Sequence, residues 1–229
     1  LQGYDEAKAE QVAQMETDVD RFEDELGTYL VKLSSRQLSG KDSETLNTIL
    51  HCIGDFERIS DHARNVKEAA QEMYDKKLDF SDKAQEELKV FERAVHDILD
   101  ITMNSFIKGD LNLARQVEPM EEVIDGLSLD VKQRHVRRLR KGKCTIELGF
   151  ILSDVITNFE RVSDHCSNIA VCLVQVNEDE FDTHAYLDEL RQEDNKDFQS
   201  KVLACREKYQ LPPTKQERLA EKNAKLLAE

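Results

Sequence analysis

The chain has 229 residues, 34% of them charged, and a formal net charge of −15 at pH 7. Eight glycines, three prolines and no tryptophan make a composition typical of long helices rather than of sheets. The negative charge argues against a nucleic-acid-binding protein, because phosphate backbones attract positive charge, and no apolar run is long enough to span a membrane.

Helical periodicity predicts three long helices in the first half of the chain. The first should extend over about residues 5–35, and the second over about 42–74 with Asp42 as its N-cap. A third helix is expected over 82–107, and Gly109 should end it.

The second half continues in the same way. Asp110 is expected to cap a fourth helix that ends at Gly142, and Thr145 to start a fifth whose apolar stripe reaches Leu173. A tail helix is expected over about 183–209. The predicted fold is therefore all-α, a bundle of antiparallel long helices with tail helices at the C-terminal end.

The tail closes with a local helix-start pattern. Thr214 and Glu217 have the spacing of a capping box, which predicts a last, very polar helix.

The five cysteines lack metal-type spacing, and most lie in or beside apolar helical segments. They are therefore expected to be reduced thiols of a cytosolic protein.

The chain contains an internal repeat. Residues 54–65 read GDFERISDHARN and residues 157–168 read TNFERVSDHCSN, with seven of twelve positions identical. A companion pair, residues 12–26 and 117–131, aligns at a shift of 105 residues, against 103 for the first pair. The two halves therefore represent one structural unit written twice.

Each repeat carries two Glu-x-x-x-Asp pairs on successive helices, and this spacing places both carboxylates on one helix face. One interpretation is ordinary ion pairing with neighbours such as Arg58 and Arg64. Equivalent pairs in both repeats, at the margin of apolar stripes, favour metal binding instead. Oxygen ligands suit Mg, Ca, Mn or iron, with zinc possible. The candidate metal ligands are Glu16, Asp20, Glu57, Asp61, Glu121, Asp125, Glu160 and Asp164.

Other polar residues of the motifs lie close to the carboxylates in the sequence. Asn65 and Asn168 follow the motif aspartates by four residues and either add neutral oxygen ligands or bridge helices by hydrogen bonds. His62 and His165 point about 100° away from the aspartates around the helix, so a surface or helix-contact role is expected for them. No nucleophile with a paired base is evident, and no catalytic residue is predicted.

A basic run contrasts with the acidic chain. Residues 132–143 read KQRHVRRLRKGK and contain seven Lys or Arg residues. One interpretation is a solvated helix C-terminus whose cations complement the helix dipole. The other is contact with an anionic membrane surface or a partner's acidic loop. The candidates for such contact are Arg134, Arg137, Arg138, Arg140 and Lys141.

These motifs resemble those of the PhoU family, whose members are repeats of three-helix bundles. Residues 54–65 and 157–168 match its ER-x-x-D-x-x-x-N signature, and METDVD and MEEVID match its companion acidic helix. From about residue 12 to 211 the chain looks closest to the PhoU-like cytosolic domain at the C-terminal end of bacterial sodium/phosphate cotransporter family proteins. LGTYLVKLSS and RHVRRLRKGKCTIELG are typical of that branch.

The resemblance implies a non-catalytic regulatory domain of a sodium-dependent phosphate transporter. It implies bound metal ions, iron or zinc first and manganese or magnesium next, on the acidic motifs. The implied partner is a membrane transporter portion of the same polypeptide. The domain would then lie on the cytoplasmic side of the cell membrane. Homo-oligomers and contact with the membrane surface are two further expectations. The alternative is a purely structural helical interaction module without metal.

The repeat divides the chain into an incomplete first repeat (1–78), a second repeat (79–177) and a tail (178–229). The second repeat has a helix before its Glu121/Asp125 helix, whereas the first begins almost directly with the equivalent helix. Together with a leucine at position 1, this suggests a fragment. The missing helix would belong to upstream sequence or be replaced by the tail.

Overall fold

The computed structural model describes residues 3–176, 187, 190–191, 195–214 and 217–218. Within these ranges the regular structure is entirely helical, which confirms the predicted all-α bundle. None of the described helices is both long enough and apolar enough to cross a bilayer. The helices are α1 (Glu6–Ser34), α2 (Gly40–Asp75), α3 (Asp82–Lys108), α4 (Leu111–Ala114), α5 (Val117–Arg140), α6 (Ile146–Gln175) and α7 (Lys196–Lys208).

The helices pack as two unequal groups. Helices α3, α5 and α6 contact one another as a three-helix bundle, and α7 lies against α5. Helices α1 and α2 form a hairpin, and α2 packs along α6. The fully buried side chains Phe91, Ile98, Ile124, Leu152 and Ile156 show that the core is centred on the bundle of α3, α5 and α6. The proposed repeat boundaries stay a prediction.

Local capping sets where α2 and α3 begin and end. The predicted N-cap Asp42 is wrong, because Ser39 Oγ accepts the Asp42 N–H at 3.2 Å and donates to Asp42 Oδ2 at 2.6 Å. Helix α2 therefore starts earlier, at Gly40. Gly109 ends α3 as predicted, with φ of 62°, a left-handed conformation that glycine adopts without a Cβ clash.

The predicted single helix over 110–142 is also wrong. Asp110 caps only the short α4, by accepting the N–H groups of Asn112 and Leu113. Helix α5 then begins afresh at Val117, and Pro119 is its third residue. Proline has no N–H, and its ring clashes with the carbonyl four residues earlier, so it fits a first turn and not a helix interior.

The predicted single tail helix over 183–209 is wrong where the tail is described. Arg191 lies in a turn, and Asn195 caps a new helix, α7 (Lys196–Lys208), by accepting the Phe198 N–H at 3.2 Å. Most of the residues before Asn195 lie outside the described ranges. The predicted capping box is present: the Thr214 N–H donates to Glu217 Oε2 at 2.6 Å, and the Glu217 N–H to Thr214 Oγ1 at 3.3 Å. The polar helix predicted after it lies mainly outside the described residues.

Candidate metal centres

The first acidic cluster lies between α1 and α2. Glu16 and Asp20, one turn apart on α1, face Asp61 of α2, and one carboxylate oxygen from each lies within 4.8 Å of the others. Glu16 is almost fully buried, whereas Asp20 is exposed. Three carboxylates at this separation repel one another unless a cation or proton lies among them.

The second acidic cluster is the repeat equivalent of the first. Glu121 and Asp125 of α5 face Asp164 of α6, again with one oxygen from each within 4.8 Å of the others. The sequence shifts of 105 and 103 residues carry the first triad onto the second. The fold therefore brings together six of the eight predicted carboxylates as two matching triads of hard oxygen donors.

The remaining two carboxylates, Glu57 and Glu160, lie beside the triads in different electrostatic surroundings. Burial, and then the charges of Asp61 and Asp20, raise the pKa of Glu57 above its ordinary value. Burial also acts to raise the pKa of Glu160, but hydrogen bonds from Lys132 and Ser128 outweigh it and lower that pKa.

The difference follows from two substitutions between the repeats. Lys132 Nζ lies 2.8 Å from Glu160 Oε2, and Ser128 Oγ donates to the same oxygen at 2.6 Å. The corresponding positions on α1 are Gly27 and Glu23. The first cluster therefore has a carboxylate where the second has a hydroxyl, and no side chain where the second has an ammonium group.

A second cation reaches the second cluster from the tail. Arg191 Nη2 donates to Glu118 Oε2 at 2.9 Å and to Glu121 Oε2 at 2.8 Å. Burial first, then the charge of Glu118, raises the pKa of Glu121 to about 8, although Arg191 opposes the shift. Burial and the charge of Asp164 raise the pKa of Asp125 to about 6. The cluster is thus crowded with negative charge even with the guanidinium present.

Arginines also contact the triad residues, as the alternative ion-pair interpretation expects. Arg64 Nη1 lies 2.7 Å from Glu16 Oε1, on the first cluster. Arg58 Nη1 lies 3.2 Å from Asp61 Oδ2, and Arg161 Nη1 lies 3.0 Å from Asp164 Oδ2. The Arg58 and Arg161 side chains are mostly exposed, and exposed ion pairs of this kind contribute little, so a metal ion can displace them.

The motif asparagines lie outside both triads and bridge helices, the second of the two roles considered for them. Asn65 Nδ2 donates to Asn158 Oδ1 and Asn168 Nδ2 to Asp55 Oδ1, each at 3.0 Å. These bonds cross between α2 and α6, so the asparagines hold the two repeats together. Their assignment as ligands stays a prediction without support from these contacts.

The motif histidines make the helix contact expected of them. The rings of His62 and His165 stack with centroids 5.5 Å apart. His62 Nδ1 lies 2.8 Å from Asn158 Oδ1, and His165 Nδ1 lies 2.7 Å from Asp55 Oδ1. The two repeats therefore meet at a pseudo-symmetric polar cluster, in which an aspartate in one repeat corresponds to an asparagine in the other.

The five basic residues predicted to contact a membrane or partner divide into two groups. Arg134 and Arg138 are largely buried and bind Glu87 of α3, Arg138 Nη1 at 2.6 Å, and Arg134 Nη1 also donates to the Pro212 carbonyl at 2.6 Å. These two therefore stabilise the bundle. The other three, Arg137, Arg140 and Lys141, are exposed.

Sequence reasoning missed Glu118, Arg191 and the pairing of Lys132 with Glu160. Glu118 lies in the repeated segment 117–131, but its counterpart in the first repeat is Ala13, and Arg191 lies 73 residues further along the chain, so no spacing connects the two. Glu118 also accepts a short hydrogen bond from Ser167. One signal was available in the sequence. Lys132 has no lysine as its counterpart in the first repeat, where the equivalent residue is Gly27, and this difference indicated that the two repeats carry different charges near the acidic motifs.

One protein family matches the chain by its sequence model. The family is described as the PhoU domain, and the match covers residues 1–70 and 89–173. These two segments contain both acidic triads.

Two curated relatives carry related descriptions. A phosphate-specific transport system accessory protein PhoU homolog 1 from Thermotoga maritima is 28% identical over 122 residues, which is 53% of this chain and 52% of the relative. The chain therefore spans about half the length of that relative. A homolog from Synechocystis sp. is 24% identical over 163 residues, 69% of this chain and 70% of the relative.

Solved structures share the fold. The crystal structure of PhoU from Pseudomonas aeruginosa has a TM-score of 0.69 and 21% identity, over 75% of this chain and 82% of that one. A phosphate transport system regulatory protein from Streptococcus pneumoniae has a TM-score of 0.65 and 18% identity, over 75% and 80% of the two chains. At these identities the likeness shows the helical architecture alone.

Proposed function

Because the chain belongs to the PhoU family, we propose that it is a non-catalytic regulatory domain of phosphate transport whose two acidic triads bind metal ions. The role in phosphate transport is supported by the descriptions of the two relatives as accessory proteins of phosphate-specific transport systems. The finer assignment, to a sodium-dependent transporter whose membrane portion belongs to the same polypeptide, rests on the resemblance of the basic and acidic motifs.

The single observation that carries the metal proposal is the equivalence of the two triads. Glu16, Asp20 and Asp61 converge in one repeat, and their counterparts converge in the other, from helices that differ in most other residues. Carboxylates on a solvated surface repel one another. Solvation alone therefore does not explain why each repeat brings three carboxylate oxygens within 4.8 Å of one another.

The donor set indicates the kind of ion. Six carboxylates with no described cysteine or histidine in either triad favour a hard or borderline cation such as iron, manganese or magnesium, with zinc also accommodated. The triad residues would hold it, with Glu57 of the first cluster available as a further ligand. A bound cation would neutralise the repulsion among the carboxylates and connect α1 to α2 and α5 to α6.

Metal analysis of the untagged protein tests the proposal. The variants Asp20→Ala/Asp61→Ala and Asp125→Ala/Asp164→Ala should each lose metal measured by plasma mass spectrometry. The matched control Asp18→Ala/Asp130→Ala removes a half-buried aspartate from α1 and an exposed one from α5, both outside the triads, and should retain the metal. Equal metal content in all three variants and the parent would reject the triads as ligands.

The alternative, a structural interaction module without metal, is favoured by one observation. Arg191 already places a guanidinium between Glu118 and Glu121, as an internal counter-ion. This alternative predicts that Mn, Fe, Zn and Mg leave the melting temperature unchanged and that chelators have no effect. A rise in melting temperature that is lost in the triad variants would exclude it.

A further inference from the structure

The end of the α5–α6 hairpin carries apolar side chains that are exposed in the described part of the chain. Ile146, the first residue of α6, is 73% exposed, and Phe150, one turn later, is 69% exposed. Val136 of α5 is 44% exposed and lines the same groove between the two helices. Exposed apolar side chains that lie together in this way mark an interaction surface.

Basic side chains occupy the same end of the hairpin. Arg140 follows Val136 by one helical turn, and Lys141 and Lys143 lie in the connection that leads to Ile146. All three cations are exposed, and none of the described carboxylates forms an ion pair with them. This combined surface is here called the α5–α6 tip, and it consists of Val136, Arg140, Lys141, Lys143, Ile146 and Phe150.

Hydrogen bonds hold the tip in one arrangement. Gly142, with φ of 62°, ends α5, and its N–H donates to the Leu139 carbonyl at 2.9 Å. The Lys143 N–H donates to the Arg138 carbonyl at 3.0 Å, and the Arg138 side chain is bound in turn to Glu87 of α3. Because the tip is already ordered, little conformational entropy is lost when it contacts a partner.

The first repeat shows that the hairpin does not need apolar residues at these positions. At a shift of 103 residues, the counterparts of Ile146 and Phe150 are Ser43 and Asn47 of α2. Asn47 is exposed, as Phe150 is, so a polar side chain is compatible with the helix there. Folding of the hairpin alone therefore does not account for two large apolar side chains in water.

We propose that the α5–α6 tip is a docking surface for an anionic phospholipid membrane. The cations are complementary to the phosphate head groups, and the apolar side chains beside them fit the acyl region below. An acidic protein loop would pair with the cations but would leave Ile146 and Phe150 in water. A bilayer matches both kinds of side chain at once.

The negative charge of the rest of the chain does not prevent this contact. Asp164 of the second acidic cluster lies on the same helix as Ile146, about 27 Å further along its axis at about 1.5 Å per residue. Charges are screened over about 8 Å at physiological ionic strength, so the triads have little influence at the tip. Glu147, which follows Ile146 directly, is already bound by Lys76 at 2.8 Å. Membrane contact is also independent of the metal proposal, because no residue of the tip belongs to a triad.

Flotation of the untagged chain with lipid vesicles, in the presence of a chelator, tests the apolar part of the tip. The chain should bind vesicles of phosphatidylglycerol and phosphatidylcholine in equal parts, and should not bind phosphatidylcholine alone. Ile146→Ser/Phe150→Asn, which introduces the residues of the first repeat, should weaken binding at least tenfold. The control Met103→Ser/Ile107→Asn removes two exposed apolar residues of the same spacing from α3 and should not. Equal binding by the two variants would overturn the proposal.

The same assay tests the cations. Arg140→Gln/Lys141→Gln should weaken binding roughly twentyfold, because each cation at an anionic surface contributes about fivefold in affinity. The control Lys32→Gln/Arg36→Gln removes two exposed cations from the end of the α1–α2 hairpin and should bind as the parent does. An equal loss in both variants would overturn the proposal, because net charge and not the tip would then decide binding. Circular dichroism establishes that each variant remains folded.

A second arm makes weak flotation decisive. The chain contains no tryptophan, so Phe150→Trp places a single tryptophan in the tip. An N-terminal histidine tag on nickel-chelating lipid in the anionic vesicles gives the chain a high effective concentration at the membrane. The tryptophan emission should shift to the blue and be quenched by brominated acyl chains, and that of Ile107→Trp on α3 should not. Unchanged Phe150→Trp emission would overturn the proposal. A dimer in light scattering that Ile146→Ser/Phe150→Asn dissociates would also overturn it, because a second copy would then cover the tip.

Discussion

Lys132 Nζ lies 2.8 Å from Oε2 of Glu160, whereas the counterpart glutamate, Glu57, has glycine at the position of that lysine. The two repeats therefore present the same carboxylate in two ionisation environments, with the pKa lowered in one and raised in the other. The two acidic clusters are expected to bind cations with different affinities.

Replacing the lysine should strengthen metal binding at the second cluster. In Lys132→Met, Glu160 loses its ammonium partner, so its pKa should rise and its oxygens become available to a metal ion. We expect a gain in affinity of roughly tenfold, about 1.4 kcal/mol, since the pair is partly exposed and screened. Calorimetric titration with Mn in an Asp20→Ala/Asp61→Ala background measures it. Lys141→Met is the control, and an equal affinity in both variants would contradict the expectation.

Removing the tail guanidinium should have two opposite effects. Arg191→Gln leaves Glu118 and Glu121 without their cation, so metal-free protein should lose about 1–2 kcal/mol of unfolding free energy, a value reduced for the partial exposure of Arg191. The same change should raise metal affinity at the second cluster and leave the first unaltered. Urea unfolding and metal titration measure these. Weaker metal binding would instead make Arg191 a structural support of the site.

Stability of the metal-free protein should fall as pH rises. The pKa of Glu121 is raised to about 8, so the folded state retains a proton that the unfolded state releases at its ordinary, lower pKa. The folded state is therefore penalised progressively from about pH 5 to pH 8, by about 1–3 kcal/mol. Urea unfolding at several pH values measures this slope. The Glu121→Gln variant should have a shallower slope, and a parallel one would be inconsistent with a buried, protonated Glu121.

Metal binding should release protons over the same range. At about pH 6.5 the carboxyl groups of Glu121 and Asp125 are partly protonated, because their pKa values are about 8 and about 6, and a metal ligand must be ionised. Calorimetry in buffers of different ionisation enthalpy counts the protons. The first cluster, isolated by Asp125→Ala/Asp164→Ala, provides the comparison, and equal heats in all buffers for the second cluster would refute the prediction.

The contact between the repeats should depend on Asp55. Its Oδ1 accepts from Asn168 and lies 2.7 Å from His165 Nδ1, so Asp55→Ala leaves two polar groups without this partner. We expect a loss of about 1–3 kcal/mol in unfolding free energy. Asn158→Ala, the repeat counterpart, removes the partner of His62 and Asn65 and should have a comparable effect. A neutral result for both would show that apolar packing alone holds α2 on α6.

Local patterns along the chain were enough to predict the long helices and the two acidic rows. Helical period and Glu-x-x-x-Asp spacing are local properties, so Glu16 with Asp20, and Glu121 with Asp125, share a helix face whatever surrounds them. The internal repeat then indicated that both halves place these rows alike, and the two triads agree with that. The break before α5 was missed, although Pro119 was visible, because a proline is compatible with either a first turn or a kink.

The cations that accompany the carboxylates, and the helix face that remains open, could be identified only from the packing of the helices. Lys132 reaches Glu160 from a neighbouring helix, and Arg191 reaches Glu118 across 73 residues of chain. The burial of Met120 against the exposure of Met15 depends on whether a helix lies over each residue. Such pairings join residues distant in sequence, so they follow from how the helices pack against one another and not from the periodicity within any one of them.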